Sequence, residues 1–390
     1  MRVYGVQTSD NHLSPTIWSS YASLCSDALW ALEQIADYCV SRKVDWWILA
    51  GDIIDKPING SPPIADLSCV LDKVSKKHPD LVAYYIQGQH EMSDPPWMSC
   101  VRGNTQHIHD RTVDLSGIGP TYGLDYRKGS NELTEAFKRI PKDTRLLVAH
   151  QVWEEFMGGV ANCDGSLAAI PHASHVLTGD LHKHLVKRIK RPGQPDLIAM
   201  SPGATHVRKL DEPKEHYFFA WTDDPVKPLK SVKLHGRQFF SFEILTDNLS
   251  EFRQQFEGFM EYAAEYAKKH NLPARVAKPV LHLHYNSDIP GLFNRVQDIV
   301  NDRAFIFDRA IRFVKDKLRV DGQELKALTD LGLLGCLRSA VGDTSSRLYA
   351  DAERLLKSDN IIDEIRKLKA EHFSETKIPE TKECLPTQVS

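Results

Sequence analysis

The sequence predicts an α/β fold built on parallel strands, followed by a small α+β domain and C-terminal helices. Three observations carry that prediction. Over the first 180 residues, short apolar runs rich in Val, Ile and Trp alternate with segments of 3.6-residue period, the pattern of βαβ units. Five of those runs end in Gly or in a cluster of Asp, His and Gln, which packing does not require. Around residues 225–228 two prolines mark a change to isolated strands and long charged helices.

The organising stretch is 44–55, VDWWILAGDIID. Residues 44–50 are apolar and bounded by charge, as expected of a strand buried on both faces, and Gly51 permits a tight exit. Asp52 and Asp55 then emerge at the carboxyl edge of a sheet, where open α/β folds bind ligands. An Asp after a Gly is more often a turn or a helix cap, so this motif alone decides little. Before it, residues 2–8 form a strand ending in Ser9, Asp10, Asn11 and His12. Leu24, Ala28, Leu32, Ile35 and Cys39 recur at spacings of three and four, which predicts a helix that returns the chain parallel to the first strand.

Ser61, Pro62 and Pro63 open a second helix, and 81–86 is a third buried strand ending in Gly88, Gln89, His90 and Glu91. Residues 112–122 read as two short strands and 132–140 as a helix stopped by Pro141. Strand 145–149 ends at His150, and strand 175–177 runs into Thr178, Gly179, Asp180, Leu181 and His182. From 184 to 223, Arg191-Pro192-Gly193 and Ser201-Pro202-Gly203 punctuate what reads as a second sheet. Strands at 230–234, 238–245, 280–285 and 310–314, with helices at 248–270 and 292–301, make the α+β domain. Helical patterns at 324–341 and 348–372 follow, and the last residues have the composition of a disordered tail. The predicted domains are therefore 1–225, 226–320, 321–373 and 374–390.

A formal charge of −3 on 390 residues is too balanced to advertise a nucleic-acid partner in bulk, so any such partner must meet a local patch. Lys183, Lys187, Arg188, Lys190 and Arg191 form a basic cluster that would track phosphates, although a solvated hairpin explains it equally well. The seven cysteines include no CxxC pair, which argues for reduced thiols. No apolar run approaches the roughly 20 residues of a membrane span. Residue 1 runs directly into a strand, without the look of a signal peptide, so a soluble cytoplasmic protein with no membrane partner is expected.

Collected in order, the strand ends give Asp10 and His12, Asp52 and Asp55, Gln89 and His90, His150, then Asp180 and His182. Carboxylates, an amide oxygen and imidazoles are the inventory of a two-metal site, in which one bridging carboxylate joins two divalent ions. The succession DNH, GDIID, GQHE, an isolated His and GDLH resembles the calcineurin-like metallophosphoesterases, whose pattern is DxH, GDxxD, GNHE or GNHD, a lone His and GHxH. The similarity spans roughly residues 1–222 and implies a four-layer α/β sandwich with a small α+β cap. It also implies one cation on Asp10, His12, Asp52 and His182, and a second on Asp52, Gln89, His150 and Asp180. His90 matches the family histidine that contacts the scissile phosphate and assists the leaving oxygen. Asp55 matches the carboxylate that orients it.

Two positions depart from the family pattern. Gln89 stands where Asn is usual, and Asp180 stands where the first His of GHxH belongs. A third carboxylate hardens the ligand set and favours manganese, with magnesium tolerated, over zinc. Its negative charge also opposes an anionic phosphate unless a nearby cation compensates.

Within the superfamily, YGLDYR, TGDLHKH and the SPGATH turn are similar in placement to the SbcD type, the nuclease subunit that works with an SbcC-type ATPase. That resemblance implies a manganese-dependent DNA nuclease, a 3′ to 5′ exonuclease with endonuclease capacity, acting in DNA end processing, repair or recombination. It also implies a homodimer, and C-terminal helices that grip the ATPase. Leu348, Ala352, Leu355, Ile361, Ile365 and Leu368 recur at helical spacing there, as they also would on an ordinary packed face. The alternatives are a phosphatase or phosphodiesterase of the same superfamily, or a scaffold whose catalysis Gln89 and Asp180 have weakened.

Overall fold

β2 (Trp46–Ala50) shows how the chain divides its apolar residues between two cores. In a computed structural model describing residues 1–13, 22–55, 62–157 and 163–311, with Arg354 and Lys367 alone beyond them, all five β2 residues are buried. Trp46, Ile48 and Ala50 face one core, and Trp47 and Leu49 face another. The period of two places a sheet on one side of the strand and helices on the other.

The first sheet has six strands. β1 (Val3–Thr8) and β2 are parallel, as are β3 (Val82–Ile86) and β4 (Thr105–His107), while β11 (His216–Thr222) and β12 (Leu229–Leu234) run antiparallel on the far side of β1. The second sheet orders β5 (Thr112–Leu115), β6 (Gly119–Leu124), β7 (Leu146–His150), β8 (His175–Gly179), β10 (Leu197–Ser201) and β9 (Leu185–Ile189). Ile48, Ile86, Leu146, Val148, Leu177, Met200 and Phe219 make the core that both sheets share. α1 (Ser26–Arg42) and α2 (Pro62–Lys77) cover the outer face of the first sheet. α3 (Ser130–Phe137), with Trp153 and Leu167, covers the second. The result is the four-layer α/β sandwich. The predicted helix stripe of Leu24, Ala28, Leu32, Ile35 and Cys39 is buried throughout.

Residues 184–223 do not form a sheet of their own. β9 and β10 extend the second sheet, whereas β11 joins the first beside β1. The reason lies in β11 itself, where Phe218 and Ala220 enter the helix-side core and Phe219 and Trp221 the shared core. A strand apolar on both faces has to sit inside a sheet. β12 pairs with β11, so the first sheet continues past the prolines at 225 and 228.

After a four-residue α4 (Glu154–Met157) in the sandwich, a third sheet of three parallel strands follows: β13 (Phe239–Ile244), β14 (Val280–Asn286) and β15 (Phe305–Ile311). α5 (Ser250–Lys269) and α7 (Leu292–Val300) share its core through Phe252, Phe256, Leu292 and Val296; the short α6 (Ala274–Ala277) precedes β14. β15 begins five residues before the predicted 310–314. The predicted C-terminal helices and tail lie outside the described residues. Elements up to Ile311 pack as one unit, and no helix among the described residues is long and apolar enough to cross a membrane.

Arg237 ties the third sheet to α1. Its Nε and Nη2 donate to the Asp27 carboxylate at 2.9 and 2.8 Å, and Nη2 also donates to the Arg275 carbonyl at 2.7 Å. Both side chains are buried. Burial pushes the Asp27 carboxyl up to about 6 even beside Arg237, so Arg237→Ala leaves Asp27 to take up a proton in the interior without its partner, and a loss of about 3 kcal/mol is expected in urea unfolding. A change within experimental error would show that the pair does not hold the two parts together.

Candidate metal centre

Three strand ends adopt the same unusual backbone. Asp10 after β1, Asp52 after β2 and Asp180 after β8 have φ of 50°, 48° and 73°, the left-handed region that side chains rarely adopt. Neighbouring backbone holds them there. Asp10 N–H donates to the Gly51 carbonyl at 3.1 Å, His12 N–H to the Asp52 carbonyl at 2.9 Å, and Asp180 N–H to Asp10 Oδ1 at 3.0 Å. Strain of this kind persists only where surrounding structure over-determines it, and it gathers at functional sites. Gly51 has φ 83°, and a Cβ there would meet the His150 ring at 2.5 Å. A Cβ on Gly88 would collide with the Asp52 carboxylate.

β1, β2 and β3 are neighbours in the first sheet, and β7 and β8 in the second, so stacking the sheets brings their carboxyl ends together. Among the described residues, three groups of carboxylate and imidazole atoms lie within 4.8 Å of one another: Asp10, His12 and His182; His12, Asp52 and His90; Asp10, Asp52 and His150. Asp10, His12, Asp52 and His150 are buried to within 1%. His90 and His182 are partly open to solvent.

Each imidazole uses Nδ1 outward. His150 Nδ1–H donates to the Ala50 carbonyl at 2.8 Å, His182 Nδ1–H to Glu212 Oε1 at 2.8 Å, and His90 Nδ1–H to the Asp55 carbonyl at 2.9 Å. Asp55 Oδ1 lies 3.3 Å from both His12 Nδ1 and His90 Nδ1. With Nδ1 committed outward, Nε2 is the ring nitrogen that faces the cluster, the arrangement of metal-ligating histidines.

The geometry passes a test of fit to a cation. His12 Nε2 and His182 Nε2 are 3.1 Å apart and each is 3.7 Å from Asp10 Oδ1. A point equidistant from the three lies about 2.0 Å from each, a metal–ligand bond length. Asp10 Oδ2 and His150 Nε2 are buried without a hydrogen-bond partner, which a polar atom in a dry interior tolerates only at a cost.

Charge follows the same logic. Burial pushes the Asp52 carboxyl up, but the charges of the nearby His150 and His12 bring it well below the usual carboxylate range. Burial pulls His150 down, yet Asp52 and Asp10 raise it well above the ordinary imidazole value. Burial and the charge of Asp52 push Glu91 up to about 8. Glu91 accepts from the N–H groups of Ile54 and Gly88 at 2.7 and 3.1 Å, joining the loops after β2 and β3.

Asp180 stands apart from the three groups, and Gln89 is its partner. The Gln89 amide nitrogen donates to Asp180 Oδ1 at the rim, and burial raises the Asp180 carboxyl, with Asp10 and Asp52 adding to it. The basic cluster is divided. Arg191 is buried and donates to the carbonyls of Ile170, Ala173 and Pro195, while Lys187 donates to the carbonyl of Glu155. Arg191 therefore braces the fold and does not face solvent phosphate.

Three residues at the site, Arg208, Glu212 and Asp125, carried no role in the sequence. Arg208 Nη2 donates to Asp55 Oδ1 at 2.7 Å, and Glu212 orients His182. Asp125 accepts from the Gln87 N–H at 2.8 Å and lies 2.9 Å from His107 Nε2, which anchors the loop bearing Gln89 and His90. Asp125 lies within YGLDYR and Arg208 just after SPGATH, but nothing in those phrases specifies partners 18 to 196 residues away.

Residues 6–184 match the family model of the Calcineurin-like phosphoesterases. This segment is similar to the calcineurin-like phosphoesterase domain. No curated protein matches the chain. The phosphoesterase match contains every predicted ligand position, and Arg208 and Glu212 fall beyond it. Members of this phosphoesterase family use divalent metals, and the three ligand groups are where this chain has candidates to hold them.

Because ligands must be deprotonated, a cation at His150 has to displace the proton that Asp52 and Asp10 favour. Manganese affinity should therefore rise with pH through neutrality, with protons released. Calorimetry in buffers of different ionisation enthalpy measures the release, and heats independent of buffer would contradict this protonation state.

Proposed function

We propose that the protein is a metal-dependent phosphodiester hydrolase acting on DNA, a nuclease of the SbcD type. The observation that carries the hydrolase reading is the convergence of Asp10, Asp52 and three Nε2 atoms, from His12, His150 and His182, at the open edge of two stacked sheets. Asp10, His12, Asp52 and His182 would hold one cation, and Asp52, His150, Gln89 and Asp180 the other, with manganese preferred. Divalent cations bound there supply positive charge for a phosphoryl transition state and activate a water as nucleophile.

The chain's own groups divide the remaining work. Asp52 Oδ1 accepts the His90 N–H at 3.0 Å, which fixes the loop that carries the proton donor. Asp55 holds the Nδ1 side of His90, and the partly exposed ring in its imidazolium form has a second proton, on Nε2, to give a leaving oxygen. The DNA substrate rests on the subfamily resemblance, and the third sheet, whose Phe239, Val280 and Phe305 pack with Val207 and Leu210 next to Arg208, stands where that resemblance expects a cap. A homodimer and an SbcC-type ATPase partner belong to the same proposal through the subfamily resemblance. The helices for the ATPase fall outside the described residues.

One observation favours a second reading, a weakened or single-cation site. Gln89 and Asp180 bond to each other, and Asp180 lies outside the close ligand groups. Labelled duplex DNA, a phosphate monoester and a phosphate diester, each with manganese and with chelator, separate the readings. Chelator-sensitive cleavage of DNA above the monoester is expected. Hydrolysis of the monoester alone would select a phosphatase, and no turnover of any substrate would select the scaffold.

Two variants test the roles. Asp52→Asn should abolish cleavage and lower manganese content at both positions. His90→Ala should keep its manganese and lose about 10² to 10⁴-fold in cleavage, the usual worth of a positioned proton donor. Loss of manganese from His90→Ala would make His90 a ligand.

A further inference from the structure

The guanidinium of Arg208 reaches the same nitrogens that a cation would use. Nη1 lies 3.0 Å from His12 Nε2 and 3.2 Å from His182 Nε2, and Nη2 donates to Asp55 Oδ1 at 2.7 Å. The His182 tautomer is set from outside, since its Nδ1–H is committed to Glu212 and its Nε2 keeps the lone pair. His12 Nδ1 lies 3.3 Å from Asp55 Oδ1, and a proton on that side gives His12 Nε2 the same role. Arginine has only donors, and one Nη carries two of them, which matches one nitrogen serving two acceptors. An imidazole nitrogen has a single lone pair in its ring plane. While Arg208 occupies those of His12 and His182, neither can bind a metal.

We propose that Arg208 and a divalent cation compete for His12 Nε2 and His182 Nε2, and that Arg208, once displaced, binds the substrate phosphate. This rests on the metal-centre reading and adds an order to it, cation first and phosphate second. Three features carry it. Arg208 is tethered at Asp55 Oδ1, so displacement from the imidazoles leaves the guanidinium beside the centre and not in bulk solvent. Its backbone is fixed too, because Arg208 N–H donates to Glu212 Oε2 at 2.7 Å while Glu212 Oε1 holds His182. Asp180 brings an additional negative charge to the rim, which opposes an anionic substrate, and a planar guanidinium able to grip two phosphate oxygens supplies the compensating cation.

The test is calorimetric titration of the full chain with manganese chloride, then of the manganese-loaded chain with inorganic phosphate. Arg208→Gln and Arg208→Ala are compared with the unmodified protein, and thermal unfolding checks that each variant is folded. Removing the competitor should tighten manganese binding by roughly tenfold, the scale of hydrogen bonds involving a charged group. Phosphate binding to the loaded variants should weaken at least as much. Manganese affinity unchanged or weaker in both variants would overturn the competition. Tighter manganese with unchanged phosphate affinity would overturn the assignment of phosphate to Arg208. If the unmodified protein binds no manganese, it is the metal-centre reading that fails.

Discussion

The site depends on a carboxylate that stays charged while almost wholly buried. Asp52 is 1% exposed, and an isolated anion there would be neutralised or expelled. Its Oδ1 accepts the His90 N–H, and its Oδ2 lies 3.3 to 3.7 Å from Nε2 of His150, His12 and His90. Those contacts come from β1, β3 and β7, so one charge gathers loops from both sheets. Much of the surrounding construction serves to keep that charge in place. Gly88 makes room for it, Gly51 turns the backbone that presents it, and Glu91 closes the loop on the other side.

That construction explains why two layers of sheet are required. A single parallel sheet presents its loops in a row, with ligands pointing one way from one edge. Here His150 crosses the gap, its Nδ1 bonded to the last carbonyl of β2 and its Nε2 directed at Asp52 and Asp10. The shared core of Ile48, Leu146, Val148, Leu177 and Phe219 sets the separation that lets one imidazole span it. Small glycines at both strand ends keep that passage open, since a Cβ on Gly179 would run into the same ring. Packing in the core and ligand geometry at the edge are thus one constraint.

Much of this was legible in the chain. Strands that end in Gly, Asp or His announce themselves because the apolar run and the polar turn are contiguous, and the structure gathers Asp10, His12, Asp52, Asp55, His90, His150 and His182 as neighbours. Boundaries in 184–223 were less legible. The choice of sheet for β11 depends on which faces Phe218 and Phe219 bury, and the alternation of one strand does not say what lies on each face. Arg208, Glu212 and Asp125 were illegible for another reason. Their partners are far along the chain, and a lone Arg or Glu in a turn-rich segment has no pattern that distinguishes it from a solvated side chain. Gln89 and Asp180 were legible only through their position in a motif, and their bond to each other at the rim was not.

We propose that these strand ends would hold two divalent cations, with Asp52 a ligand to both. Crystals of the manganese-loaded protein, with diffraction recorded at the manganese absorption edge, test it most directly. The account predicts two anomalous peaks roughly 3.5 to 4 Å apart, one near His12 and His182, one near His150, with Asp52 between them. One peak, or peaks away from Asp52, would contradict it.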